Sequence, residues 1–180
     1  ASAAAVLAPD ILKIIDIRAE NALAPPFDGD QLSRLLADAL SRGGDFSEVY
    51  YESVQSLSLK LSENVFSEAI LGFSEGTGVR TVDGVKNGYA YINGTDQPKA
   101  REAASTAAFI ANSPREIKTA VLVDRRAPRF VSAKVPLDSI SENRKMELMQ
   151  QAEQVAREYS PHIKQVDITY YDHVQKRLVA

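Results

Sequence analysis

The residues that could do chemistry in this sequence are few, and their spacing suits little of it. There is no cysteine among the 180 residues, and there are two histidines, His162 and His173. That composition removes thiol nucleophiles, disulfides and cysteine-ligated zinc at once. A hydrolytic zinc site takes three protein ligands and keeps one position open. His162 and His173 stand eleven residues apart, which matches no pair of ligands on one helix, and no His-Glu dipeptide occurs. Both read as surface or strand histidines. Composition alone allows a Ser-His-Asp arrangement, but no nucleophile elbow is read in the sequence.

Glu75-Gly76-Thr77-Gly78-Val79-Arg80 begins like a phosphate-binding loop, but it lacks a third glycine and leads into a strand. Without a following helix its amides would not converge on an anion. Gly76 and Gly78 therefore read as bulge or turn residues, and Arg80 as the partner of a carboxylate within the fold. Arg125, Arg126, Arg129 and Lys134 surround Phe130 and form the one basic cluster. Nucleic acid or an acidic partner would suit it, and so would a solvated loop. The net charge of −3, from 21 basic and 24 acidic residues, shows no basic surplus, so nucleic-acid binding is not expected.

The elements that must carry these residues follow from periodicity. A hydrophobic content of 44% and a charged fraction of 25% belong to a folded globular chain. No apolar run approaches the ~20 residues that span a bilayer, so no membrane partner is expected. The opening alanine-rich stretch has no basic n-region and does not read as a signal peptide. Residues 1–30 read as a lead-in, with Asp10 to Arg18 a short apolar element and Ala24 to Gly29 a linker.

From residue 31 the pattern is that of one α+β domain reaching 180. Leu32, Leu35, Leu36, Ala39 and Leu40 fall on one helical face, with Asp30 as the expected cap and Gly43-Gly44 as the stop. The period then changes to 2. About five strands are expected between Phe46 and Ile92, in a mostly antiparallel meander whose last pair turns at Asp83-Gly84. Asp96 and Pro98 open a second helix with an alanine face from Ala100 to Ala111, which Asn112-Ser113-Pro114 ends. Residues 114–138 read as an extended connector. A third helix starts at Ser139 or Ser141, with Ser139 and Glu142 in capping-box spacing, and is expected to bury Leu148, Met149, Ala152, Val155, Ala156 and Tyr159. Ile163 to Val179 reads as a strand or hairpin. Tyr50-Tyr51-Glu52-Ser53-Val54-Gln55 is echoed by Tyr170-Tyr171-Asp172-His173-Val174-Gln175, as a repeated helix–strand unit or coincidence would produce.

Several segments together resemble one family. They are Gly44-Asp45-Phe46-Ser47-Glu48-Val49-Tyr50, Gly76-Thr77-Gly78-Val79-Arg80, Asp83-Gly84 and Gly88-Tyr89-Ala90-Tyr91. They occur in the order found in the N-terminal domain of the TldD/PmbA zinc metallopeptidases, once called modulators of DNA gyrase. Pro136-Leu137-Asp138-Ser139-Ile140-Ser141, with the helix ending Val155-Ala156-Arg157-Glu158, is similar to the TldD branch.

The resemblance implies that Gly76, Gly78, Arg80, Gly84 and Gly88 are signature residues with a structural role. In the family a His-Glu-x-x-x-His helix and a further ligand hold zinc in a C-terminal domain, and that region would begin beyond Ala180. The resemblance thus implies no catalytic, cofactor-binding or metal-binding residue in this chain, which should be inactive alone. Its implied role is to wall a peptide-access cavity, beside its own or a paralogous TldD/PmbA-type subunit, in the cytoplasm. A free-standing adaptor domain is the alternative, and a nucleic-acid module using the 125–134 cluster a weaker one.

Overall fold

The computed structural model of the chain describes residues 26–112, 122, 135 and 139–180. Among these the elements run α1 (Gly29–Ala39), β1 (Phe46–Ser62), β2 (Val65–Asp83), β3 (Lys86–Asn93), α2 (Gln97–Ala111), α3 (Glu142–Tyr159) and β4 (Asp167–Val179). The expected lead-in helix or strand at 10–18, most of the 114–138 connector and the basic cluster at 125–134 lie outside the described residues.

The α+β class and the antiparallel meander are as the period-2 pattern predicts, but the strands are fewer and longer. Phe46–Val54 and Leu57–Leu61 belong to one strand of 17 residues, and Val65–Phe73 and Val79–Val82 to one of 19. Three strands therefore replace the five expected. The four-stranded sheet has the order β3-β2-β1-β4, so β3 and β4 are its edges. Glu63 and Asn64, at φ 50° and 60°, make the two-residue turn between β1 and β2. Positive φ at both central positions gives the twist that suits a tight hairpin, and Asn tolerates it well. Gly84, at φ 57°, begins the second turn, and Asp83 pairs with Lys86 across it. Val49 exchanges both main-chain hydrogen bonds with Ala180, and Glu63 N–H reaches Val166 O, which sets β4 antiparallel to β1.

The described residues fall into two compact units. One holds 26–53, 74–112, 122 and 175–180, and the other 54–73, 135 and 139–174. In the first, α1 and α2 bury Phe27, Leu35, Ala39, Ala100, Ala104 and Ala107 against Val49 and Val79. The N-cap of α1 is Asp28 rather than Asp30. Asp28 takes the Gln31 N–H and Gln31 returns to the Asp28 N–H, both at 2.8 Å. The reciprocal pair satisfies two otherwise orphaned donors, which Asp30, inside the first turn, could not do. α2 has the expected cap, Asp96 accepting from Lys99 N–H at 3.0 Å, and buries all six alanines of its face.

In the second unit Leu57, Leu59, Leu61 and Phe66 pack with Met146 and Met149. Its helix departs from expectation twice. Ser141, not Ser139, caps α3, accepting from Arg144 N–H. The buried face is Lys145, Met146, Met149 and Glu153, while Leu148, Val155 and Tyr159 are exposed. The cause is electrostatic. Lys145 is paired with Asp172 of β4 at 2.7 Å, and Arg157 bridges Glu153 and Glu63 at 2.9 and 2.8 Å. These partners rotate a polar stripe inward that a count of apolar residues would have turned to solvent.

Candidate functional site

On the first unit, the face of β3 and β2 away from α2 carries a shallow groove of about 260 Å³. Its floor is the main chain of Gly76-Thr77-Gly78, and Tyr50, Glu52, Tyr89, Tyr91 and Asn93 stand around it. Strand register explains how it forms. Gly78 pairs with Tyr91 and Gly76 with Asn93 across the β2–β3 hairpin. A Cβ on Gly78 would lie 2.5 Å from the Tyr89 hydroxyl and 3.1 Å from its ring, so the glycine is what lets Tyr89 lie across β2. Tyr89 and Tyr91, two residues apart on one face, hold their ring centroids 6.4 Å apart. Thr77, on the opposite face, donates to Gly94 O at 2.9 Å and anchors the end of β3.

The acidic side of the groove is organised by β1 and β4. Glu52 Oε2 accepts from the Tyr50 hydroxyl at 2.5 Å, Gln175 Nε2 at 2.6 Å and Arg177 Nε at 3.0 Å. The Tyr50 hydroxyl first, and then Arg177, hold the Glu52 carboxyl below its ordinary range, while the bond to Glu52 pushes Tyr50 up. A depressed carboxyl stabilises the fold above its unfolded pKa, and that contribution is lost as pH falls through the folded value. An NMR titration should place the Glu52 midpoint below the ordinary glutamate value of ~4.3. Tyr50→Phe should raise it, since the hydroxyl is the largest single cause of the depression. A midpoint unmoved by that change would refute the assignment.

The second copy of the tyrosine-pair motif repeats this chemistry. The Tyr170 hydroxyl donates to Asp172 Oδ2 at 2.8 Å, as Tyr50 does to Glu52, and Lys145 takes the place that Arg177 has there. Glu75 is bonded otherwise, accepting from the Tyr51 hydroxyl at 3.2 Å.

The five signature positions are dispersed. Gly76 and Gly78 floor the groove. Arg80 pairs with Glu48 at 3.4 Å and lies over the Phe46 ring, so it does find a carboxylate in the fold. Gly84 makes the hairpin turn, and Gly88 is where β3 meets the main chain of α2. His162 and His173 are both exposed, the latter against the Tyr171 ring at 5.9 Å. Gly72-Phe73-Ser74-Glu75-Gly76, which the reading of the sequence passes over, does have Gly-x-Ser-x-Gly spacing. The elbow requires a sharp turn from strand to helix, and β2 runs unbroken through all five residues.

Among the described residues no group of three or more His, Cys, Asp or Glu is placed to hold a metal ion. No described helix is long and apolar enough to cross a membrane. What this face offers is hydrogen-bonding and aromatic surface beside β3, an edge strand of the sheet.

Comparison with known proteins places this architecture. In solved structures the fold recurs in a modulator of DNA gyrase from Thermotoga maritima, with TM-score 0.62 and 16% identity over 84% of this chain and 34% of that one. TldE from Thermococcus kodakarensis matches with TM-score 0.53 and 18% identity, covering 83% of this chain and 35% of its own. At those identities they establish the fold. The family follows from sequence. Residues 47–111 match the PmbA/TldA metallopeptidase domain 1, and residues 135–180 match the PmbA/TldA metallopeptidase central domain. The TldD metalloprotease homologues of Buchnera aphidicola and Haemophilus influenzae are 24% and 27% identical over 132 and 122 residues. Those matches take in 73% and 64% of this chain. The chain belongs to the PmbA/TldD metallopeptidase family. It spans about a quarter of the length of these curated relatives, 27% and 24%. The zinc that a metallopeptidase implies finds no fitting donor set among the described residues.

Proposed function

We propose that this chain is the non-catalytic N-terminal part of a TldD-like metallopeptidase that processes peptides and unfolded chains. The observation that carries the reading is the ordered match to the family's first and central domains in a chain that spans about a quarter of its curated relatives' length. On this reading one α+β domain from residue 31 to 180 walls the access path to a zinc centre held by residues outside this chain. It works beside a TldD- or PmbA-type subunit in the cytoplasm. Gly76, Gly78, Arg80, Gly84 and Gly88 shape the hairpin and groove, and none of them touches a reacting atom.

The physical contribution is capture of extended peptide at a sheet edge. Main-chain hydrogen bonds supply affinity without demanding a particular sequence, which suits an enzyme acting on unfolded chains. β3 is available for this. Gly94 N–H bonds Glu75 O, and alternation along the register then directs the N–H groups of Asn87, Tyr89, Tyr91 and Asn93 to the open edge. A proline at Asn87 removes an outward donor and sacrifices no bond to β2. His173 occupies the corresponding outward position on β4, whose register to β1 follows from the Val49–Ala180 pair. In the full-length protein, Asn87→Pro or His173→Pro is expected to weaken binding of an unstructured peptide by about fivefold to tenfold, each main-chain bond being worth ~1 kcal/mol. Unchanged affinity in both variants would sink the strand-addition role.

A further inference from the structure

We propose that the outward face of α3 is a self-association surface, on which a second copy of this chain lays its own α3 antiparallel. The surface rests on the two-subunit part of the reading above and names where the neighbouring subunit makes contact.

Exposure is the first reason. Leu148, Ala152, Val155 and Tyr159 recur at i, i+4, i+7 and i+11, so they line one stripe of the helix. All four are exposed, Leu148 at 48%, Val155 at 66% and Tyr159 at 86%. The same helix buries Lys145 and Glu153 and supplies each with an ion partner. Packing within one unit is better served by the reverse arrangement, with the apolar stripe inward and the charges in water. An apolar stripe kept outward by buried ion pairs fits a surface that another protein covers.

Self-complementarity is the second reason, and it identifies the occupant. The intervals along the stripe are four, three and four, the spacing of a coiled-coil seam, and they read the same in both directions. An antiparallel two-fold pair requires that property, because one patch must fit its own copy turned end for end. With the axis passing between Glu153 and Gln154, Leu148 meets Tyr159 of the second copy and Ala152 meets its Val155. The bulky side chains then sit at the ends and the small ones at the crossing, so the two helices can approach closely.

Charge and area are the third reason. On the rim Arg144 is paired with Glu147 at 3.0 Å, and Gln154 donates to Glu158 at 2.8 Å. Antiparallel pairing sets the exposed Gln151 beside Glu158 of the second copy, an amide donor against a carboxylate, once on each side of the axis. An anionic membrane surface calls instead for lysine and arginine along the stripe, where Glu147 and Glu158 stand. The four side chains offer on the order of 400 Å² per copy. That is about half of the ~800 Å² per partner in a standard interface, so the pair should be reversible, with a dissociation constant on the order of 10–100 µM.

Sedimentation equilibrium of the 180-residue chain, from about 5 to about 500 µM, should pass from monomer to dimer. Val155→Glu, at an exposed position that spares the core, should raise the dissociation constant at least about tenfold, since each dimer would bury two carboxylates. Circular dichroism checks that the variant keeps its fold. Gln151→Lys should tighten the dimer about threefold at low salt, a gain that should vanish near ~1 M salt. The chain has no cysteine, so an introduced thiol is unique. A mixture of Leu148→Cys and Tyr159→Cys chains, treated with a short bismaleimide, should give mostly the mixed crosslink. Mostly like-with-like crosslinks would overturn the antiparallel pair. A dimer that Val155→Glu leaves intact would overturn the α3 surface and leave the two-subunit reading standing. A chain monomeric throughout would overturn it too, and a full-length protein that is also monomeric would remove the two-subunit reading with it.

Discussion

A single methyl group added at Gly88 is expected to cost this chain a large part of its stability. A Cβ there would sit 2.0 Å from Ala107 O, 2.9 Å from Ala107 C and 3.0 Å from Ala111 N. All three are main-chain atoms of α2, so no rotamer change relieves the clash. Ordinary overpacking of a core costs ~1–3 kcal/mol because side chains can yield. Here the helix must retreat as a body, and its alanine face, buried through Ala100, Ala104 and Ala107, would lose contact with Val79 and Leu35. Gly88→Ala should therefore cost at least ~3 kcal/mol, against the ~5–15 kcal/mol by which a domain is stable. With a urea m-value of ~1.5–2 kcal/mol/M the midpoint should fall by ~1.5–2 M. Ala107→Gly should give no rescue, since the obstacle is a carbonyl and not a methyl. Gly29→Ala, where nothing lies within 4 Å, should stay within ~0.5 kcal/mol of the parent. A Gly88→Ala midpoint within ~0.3 M of the parent would show that α2 does not pack on β3 as described.

Gly88 also marks the boundary of what one sequence discloses. Local signals were legible: the leucines of α1, the alanines and Asp96 cap of α2, and the Gly84 turn all depend on neighbours within a few residues. The strand count was not, because Gln55 and Ser56 separate the stretch Phe46–Val54 from the alternation of Leu57–Leu61 and read as a break. In the fold β1 continues through both. Sheet pairing supplies main-chain hydrogen bonds whatever the side chain, so a polar residue does not end a strand. The groove was legible only in part. Gly76 and Gly78 stood out as glycines inside a strand pattern, but the reason for Gly78 is Tyr89, which only the β2–β3 register brings over it. The carboxylate bridge from Glu52 to Arg177 spans 125 residues of sequence and has no local signature. The α3 face was misread for a related reason. Periodicity weighs Leu148, Val155 and Tyr159 by hydrophobicity and cannot weigh Lys145 by the partner that awaits it on β4.

That partner makes α3 the second place where a single change should be severe. Lys145 Nζ and Asp172 Oδ2 are 2.7 Å apart, with side chains 2% and 3% exposed. Asp172 also accepts the Tyr170 hydroxyl, and Lys145 lies 5.8 Å from the centre of that ring. Two charges at such depth are expensive to desolvate, and their attraction offsets the cost only while both are present. Lys145→Met keeps the length of the stem but leaves a buried carboxylate without the ammonium that balances it, and should cost ~3–5 kcal/mol. Asp172→Val should cost somewhat less, because the lysine stem can bend its ammonium toward water. The double variant should recover most of the loss and come within ~1–2 kcal/mol of the parent, since an apolar pair of similar volume is often as stable as the ion pair it replaces. A double-mutant cycle from urea unfolding should then return a coupling of at least ~2 kcal/mol. Additive losses, with a coupling below ~0.5 kcal/mol, would mean that Met146 and Met149 hold α3 to the sheet unaided. Strong coupling would mean that the ion pair selects the buried face of α3 and keeps Leu148, Val155 and Tyr159 turned outward.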